Sequence, residues 1–91
     1  FYTACENGFT ELVQLLLNDT RVDINKARDN GATPFYIACQ RGHKQIIKLL
    51  MTDSRVNTNK PKNDGTTPFY AASHHGDTDL VNLLLNDPRM D

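Results

Sequence analysis

The chain has 91 residues, which is enough for one small domain but not for two independent cores. Apolar residues make up 38% of it and charged residues 23%, a balance typical of a folded, water-soluble protein. The formal net charge is −1 and no apolar run exceeds five residues. Nucleic acid binding favours a basic chain and a membrane span needs about 18 apolar residues, so we expect neither as a partner.

The sequence repeats with a period of 34 residues. Copy 1 spans residues 1–34, copy 2 spans 35–68 and copy 3 spans 69–91, and eight aligned positions are identical in all three. Each copy opens with Phe-Tyr and later carries a Leu-Leu pair and an Asp-x-Arg triplet. A fixed period is the signature of a repeat architecture. We therefore expect residues 1–91 to form a single domain of three like units.

The first helix of a copy follows a turn signal. Asn30-Gly31-Ala32-Thr33-Pro34 joins copy 1 to copy 2, and Asp64-Gly65-Thr66-Thr67-Pro68 joins copy 2 to copy 3. Asn-Gly and Asp-Gly favour a hairpin-like tip, while Thr caps a helix whose first residue is Pro. Helices are therefore predicted to begin at the two prolines. They are predicted to end at Gly42 and Gly76, where glycine adopts the left-handed conformation of a C-cap.

A second, strongly apolar helix is predicted in each copy. In copy 2 it carries Ile46, Ile47, Leu49, Leu50 and Met51, five apolar residues in six positions. These side chains wrap most of the helix, which therefore needs cover on several sides. One helix pair cannot supply that cover, whereas stacked copies form a solenoid that does. Copy 3 keeps the same apolar set and the sequence does not begin with Met, so we expect a fragment of a longer array.

The family that these residues resemble is the ankyrin repeat. The likeness rests on residues 31–43, with the sequence GATPFYIACQRGH, and on the Ile- and Leu-rich helix after them. It implies an all-α fold, an ankyrin-repeat solenoid of stacked helix-turn-helix units joined by hairpin-like loops. Tyr36 and Tyr70 stand where the family has His, so their hydroxyls need other partners. Arg28 and Lys62 stand where it has Asp, and the period is one residue longer than usual.

The resemblance also implies a function. Ankyrin repeats are non-catalytic protein-protein interaction modules, often scaffolds, that hold a partner in a concave groove of hairpin tips and first helices. We expect a protein partner in this groove. The alternative is a structural spacer of a long array without a ligand of its own. The groove positions, which vary between the copies, are Glu6, Asn7, Ala27, Asp29, Asn30, Ala32, Gln40, Arg41, Pro61, Asn63, Asp64, Thr66, His74 and His75. The tyrosines at the second position of each copy are expected to pack rather than to extend the groove.

Candidate catalytic and metal-binding residues are few. Cys5 and Cys39 occupy equivalent positions, where small apolar fillers are expected, and reduced thiols fit a cytoplasmic protein. Helical neighbours such as His74 and His75 point about 100° apart and do not converge on one metal. His43 stands at a position that is structural in the family. We therefore predict no catalytic residue, no metal and no cofactor, the alternative being an enzyme that pairs Cys39 with a histidine.

The Asp-x-Arg triplets and the ends of the array bear on assembly. Each Asp is predicted to accept hydrogen bonds from loop amides, and each Arg to bond helix-end carbonyls or a neighbouring Asp. The alternative is a solvated surface pair that stabilises little. We expect a monomer in the intact array and end-to-end contacts between isolated fragments.

Overall fold

The computed structural model describes residues 1–89, which form six short α-helices and no strand. Copies 1, 2 and 3 each contribute an inner helix followed by an outer helix. Inner helices pack on inner helices and outer helix α2 packs on outer helix α4, so the copies lie in layers. The predicted all-α solenoid is confirmed. The helices are α1 (Tyr2–Asn7), α2 (Thr10–Leu17), α3 (Pro34–Arg41), α4 (Lys44–Met51), α5 (Pro68–Ser73) and α6 (Thr78–Leu85).

The Thr-Pro signals start the inner helices of copies 2 and 3 as predicted. Thr33 Oγ1 accepts a hydrogen bond from the Tyr36 backbone N at 3.0 Å, and Thr67 Oγ1 accepts one from the Tyr70 backbone N at 3.1 Å. Each cap satisfies one of the backbone donors that a helix start leaves without a partner. The residue that follows each Thr is a proline, which has no backbone N–H and so leaves no donor without a partner at the first helical position.

The inner helices end differently in copies 2 and 3. Helix α3 ends as predicted at Gly42, whose φ is 72°. The prediction that α5 ends at Gly76 is wrong, because α5 already ends at Ser73. The His75 N donates to the Ala72 carbonyl at 3.1 Å, and the Gly76 N donates to the Ser73 carbonyl at 3.1 Å. These bonds span three residues rather than four, so the chain tightens out of the α-helix before the glycine.

Hairpin-like loops connect the copies, also as predicted. We call residues 28–32 hairpin 1 and residues 62–66 hairpin 2. In hairpin 1 the Arg28 N donates to the Ala32 carbonyl at 2.9 Å, and in hairpin 2 the equivalent bond also measures 2.9 Å. The two hairpins are joined through Asn63, whose backbone N donates to the Asn30 carbonyl at 2.9 Å and whose Nδ2 donates to the Asp29 carbonyl at 2.8 Å.

Burial is greatest in the middle layer. Outer helix α4 buries Ile46, Ile47 and Leu50, whereas α2 buries only Val13. The two helices have the same apolar pattern, but α4 has a copy on each side and α2 has a copy on one side. Neighbouring copies therefore provide the cover that the pattern requires.

Each Asp-x-Arg triplet forms a clasp, by which we mean Asp19 with Arg21, Asp53 with Arg55, and Asp87 with Arg89. In all three, Asp Oδ1 accepts hydrogen bonds from the backbone N and the Nε of the Arg. These hydrogen bonds from Arg89 hold the pKa of Asp87 below its usual value.

The clasps of copies 2 and 3 also bond the preceding copy. Arg55 Nη2 donates to the Leu17 carbonyl at 2.8 Å, and Arg89 Nη2 donates to the Met51 carbonyl at 2.6 Å. Within residues 1–89, Arg21 bonds Asp19 alone, and its side chain is 88% exposed. The prediction that these arginines bond helix-end carbonyls is thus confirmed for Arg55 and Arg89, whose carbonyl partners belong to the preceding copy, whereas Arg21 forms the exposed surface pair that was the alternative.

The clasps predict unequal effects of removing the same residue type. Arg89→Ala removes donors to three carbonyls of copy 2, and we expect it to lower the free energy of unfolding by about 1–2 kcal/mol. Arg55→Ala should act in the same direction. Arg21→Ala is the matched control and should change little. Urea unfolding of the three variants measures this, and equal effects would contradict an inter-copy role.

Alanine substitutions at the two hairpin glycines should differ in how much stability they remove. Gly31 and Gly65 have φ of 85° and 88°, so alanine at either position is strained by about 1–2 kcal/mol. A Cβ at Gly31 would also lie 2.8 Å from the Asn63 backbone N, whereas a Cβ at Gly65 would meet no atom within 4 Å. Thermal unfolding should show a larger loss of stability for Gly31→Ala than for Gly65→Ala. Equal losses would show that contact between the hairpins contributes nothing.

Candidate functional site

The inner helices and hairpin 2 enclose a cavity of about 330 Å³. We call this cavity the groove. It lies between α3 and α5, so two copies contribute to it. The residues that line it are Tyr36, Gln40, Lys62, Thr66, Tyr70, Ala71, His74 and His75. Four of them were predicted from the sequence, namely Gln40, Thr66, His74 and His75.

The other predicted groove residues do not line the cavity. Arg41 Nη2 lies 3.3 Å from Glu6 Oε2, which pairs α3 with α1. Asp64 Oδ1 accepts hydrogen bonds from the Thr66 N at 2.9 Å and the Thr66 Oγ1 at 2.5 Å, and these bonds lower the pKa of Asp64. The backbone carbonyls of Asp29 and Asn30 accept hydrogen bonds from Asn63 between the hairpins. The remaining exposed or half-buried positions, Asn7, Ala27 and Pro61, do not line the groove.

The prediction of a groove role is wrong for Ala32. Its side chain is only 1% exposed and packs with Tyr36 and Ala71. The residue varies between copies, but variation does not show exposure. Ala32 lies where hairpin 1 turns into α3, and the inner helix of copy 3 covers it there.

A positively charged side chain lies over the ring of each of two tyrosines. These cation–π contacts were not predicted from the sequence. The Arg28 guanidinium carbon lies 4.2 Å from the centre of the Tyr2 ring, and the Lys62 Nζ lies 5.2 Å from that of Tyr36. Such cation–π contacts are attractive and more so when shielded from water. In both pairs the cation follows its tyrosine by 26 residues. The sequence did contain a signal for these contacts. In the same repeat, Tyr replaces the family's His and a cationic residue replaces the family's Asp.

The third tyrosine is open to solvent. Tyr70 is 55% exposed, whereas the equivalent Tyr36 is 2% exposed. The ring of Tyr70 meets that of His74 edge to face, with centres 4.6 Å apart. The expectation that the tyrosines pack is thus correct for Tyr36, which is buried although its ring also borders the groove, and wrong for Tyr70, whose exposed ring lines the groove.

Two histidines bond the preceding copy. His43 Nε2 bonds the Glu6 carbonyl at 2.9 Å, and His75 Nε2 bonds the Gln40 carbonyl. The accepting carbonyls are at equivalent positions, but the histidines are not, since His75 lies two positions earlier in its copy. Because α5 ends early, His75 can bond the carbonyl of copy 2 although it stands two positions before the equivalent of His43. His43 is therefore structural as expected, and His74 has its side chain in the groove without this bond.

The cysteines are placed as core fillers. Cys5 and Cys39 are both fully buried free thiols. Burial raises the pKa of Cys5 to about 12 and raises that of Cys39 as well. A thiol that stays protonated at neutral pH is a poor nucleophile. In the described part of the chain, no three His, Cys, Asp or Glu side chains are grouped to hold a metal ion.

A larger cavity of about 640 Å³ lies on the other side of the stack, between the C-terminal ends of α4 and α6. Met51, Leu83 and Pro88 supply apolar lining, and Asp87 and Arg89 supply charges. Those charges bond each other and the carbonyls of copy 2. This cavity also has exposed polar side chains at Lys48, Thr52, Ser54 and Asn86, as the groove has at Gln40 and His74.

Comparison with known proteins agrees with this architecture. The family model for ankyrin repeats, in three copies, matches residues 1–91. No curated protein matches the chain. None of the helices within residues 1–89 has the length and apolar character to cross a bilayer. Ankyrin repeats generally act as protein-protein interaction modules and are typically not enzymes. The chain belongs to the ankyrin-repeat family.

Proposed function

We propose that the chain is a non-catalytic module that binds a protein partner through the groove and the adjoining hairpin tips. The observation that carries this proposal is the groove itself, a cavity of about 330 Å³ whose walls combine an exposed aromatic ring with polar side chains. Sites that bind proteins typically hold a few anchors of this kind within a polar surround. The whole of residues 1–91 acts as one domain in this proposal, located in the cytoplasm, with copies 1–34, 35–68 and 69–91.

The scaffold supports the proposal because it fixes the groove from two sides. Thr67 caps α5 beneath Tyr70, and Lys62 is held over Tyr36. Asn63 ties hairpin 2 to hairpin 1. A surface held in place in this way loses little conformational entropy when a partner binds.

The predicted binding site is smaller than the full set of groove residues, because some of their side chains already have partners within the chain. Arg41 is paired with Glu6, and His75 bonds the Gln40 carbonyl. Gln40 and His74 are exposed, and Tyr70 stands beside them. We therefore place the centre of binding on Gln40, Tyr70 and His74, with Thr66 and Lys62 at the edge.

The groove predicts which surface residues matter for binding. In affinity capture with quantitative mass spectrometry, the double variant Gln40→Ala, His74→Ala should retain about tenfold less of the bound partner than the wild type. The matched control is Gln14→Ala, Asn82→Ala, which truncates exposed residues on the outer helices. Circular dichroism should show all three proteins folded.

Either of two outcomes would count against the groove. Full retention of every partner by the Gln40 and His74 variant would favour the spacer role instead. Loss of binding by the outer-helix control alone would move the site to the opposite side of the stack.

A further inference from the structure

The cavity of about 640 Å³ between the C-terminal ends of α4 and α6 is separate from the groove, and no described residue lines both. We call it the outer cavity. Copy 2 contributes the last two turns of α4 and the turn that follows, and copy 3 contributes the end of α6 and its clasp. Its volume lies in the range of about 300–1,000 Å³ that is typical of sites for small molecules.

The outer cavity is not opened by the end of the stack, because the same positions are also uncovered in the middle copy. The equivalent of Leu83 is Leu49, which is half-buried, and the equivalent of Pro88 is Ser54, which is exposed. Both of these residues have a copy on each side. The chain that follows the clasp of copy 2 turns into the core at Val56, which is 3% exposed. A further copy would therefore leave this junction open to solvent.

The floor of the outer cavity is apolar. Met51 and Leu83 are half-buried, one on each side of the junction, and Pro88 is exposed beside them. The aliphatic stem of Lys48 extends this surface. An apolar ligand placed here would remove these side chains from water, which favours binding.

One positive charge of the outer cavity has no counterpart. Its charged lining consists of Lys48, Asp87 and Arg89. Arg89 Nη2 lies 3.0 Å from Asp87 Oδ2, so these two charges neutralise each other. None of the ion pairs between residues 1–89 includes Lys48, which is exposed. The lining therefore carries a single uncompensated ammonium next to an apolar floor.

The junction between copies 1 and 2 lacks this combination. Gln14 stands at the position of Lys48, and Ser54 stands at the position of Pro88. The apolar pair is kept, with Leu17 and Leu49 in place of Met51 and Leu83. The cation and the proline are therefore not required to stack one copy on the next.

We propose that the outer cavity binds a small aliphatic monocarboxylate. The chain of the ligand lies on Met51, Leu83 and Pro88, and its carboxylate accepts hydrogen bonds from the ammonium of Lys48. One uncompensated charge matches a monoanion, whereas a dianion such as a phosphate monoester would keep one charge without a partner. This site uses no residue of the groove and does not depend on the proposed binding of a protein there.

Three small probes separate the contributions of the chain and the charge. In titrations of the wild type at neutral pH, followed by the amide signals in NMR spectra, octanoate should bind with a dissociation constant of about 1 mM. The shifted amides should belong to Met51, Thr52 and Leu83. Octylammonium has the same chain with the opposite charge and should bind at least about threefold more weakly. Acetate has the carboxylate without the chain and should not bind measurably.

Two variants, each with a matched control, test the lining. Lys48→Gln installs the residue that copy 1 has at this position, so the fold should tolerate it, and it should weaken octanoate binding about threefold. Lys26→Gln removes the same charge from an exposed lysine outside the cavity and should change nothing. Ser54→Trp should fill the cavity and weaken binding about tenfold or more, whereas Thr20→Trp, at the equivalent exposed position of copy 1, should not.

Three results would overturn the proposal. The first is the absence of saturable shifts up to about 20 mM octanoate. The second is equal affinity for octanoate and octylammonium, or equal effects of Lys48→Gln and Lys26→Gln, because either would remove the role of the charge. The third is a set of octanoate shifts confined to the groove, which would place the ligand on the other side of the stack.

Discussion

The structure depends on one constraint, which is that a unit of 34 residues cannot bury its own outer helix. The apolar residues of α4 cover most of its surface, and α3 contacts only one side of it. Hydrophobic burial stabilises such a helix only when copies stand on both sides. The contrast between α4, with three buried residues, and α2, with one, shows this effect within a single chain.

Polar contacts determine how the layers align. Burial is not directional, so it does not by itself fix the register of one copy on the next. The clasps of copies 2 and 3, the histidine bonds and the Asn63 contacts each join a side chain of one copy to a backbone carbonyl of its neighbour. These bonds need a particular distance and angle. Together they fix the stack, and they give the groove between α3 and α5 a defined shape.

Local signals in the sequence predicted most of this architecture. The Thr-Pro starts, the glycine turns and the period are readable because each depends on residues close together in the chain. Tyr36 and Tyr70 have the same local sequence but opposite exposure, because exposure depends on whether another copy covers the ring. Ala32 was misplaced for the same reason. The early end of α5 was missed because its last bonds span three residues instead of four, a tightening that the Gly76 signal does not indicate.

The central claim, that each copy is stabilised by its neighbours, is tested most directly by native-state hydrogen exchange in dilute solution. The account predicts that the amides of α4 open with the highest free energy and that those of α2 and α6 open with lower values, although the three helices share one apolar pattern. Equal free energies in α2, α4 and α6, or the highest value in α2, would contradict it.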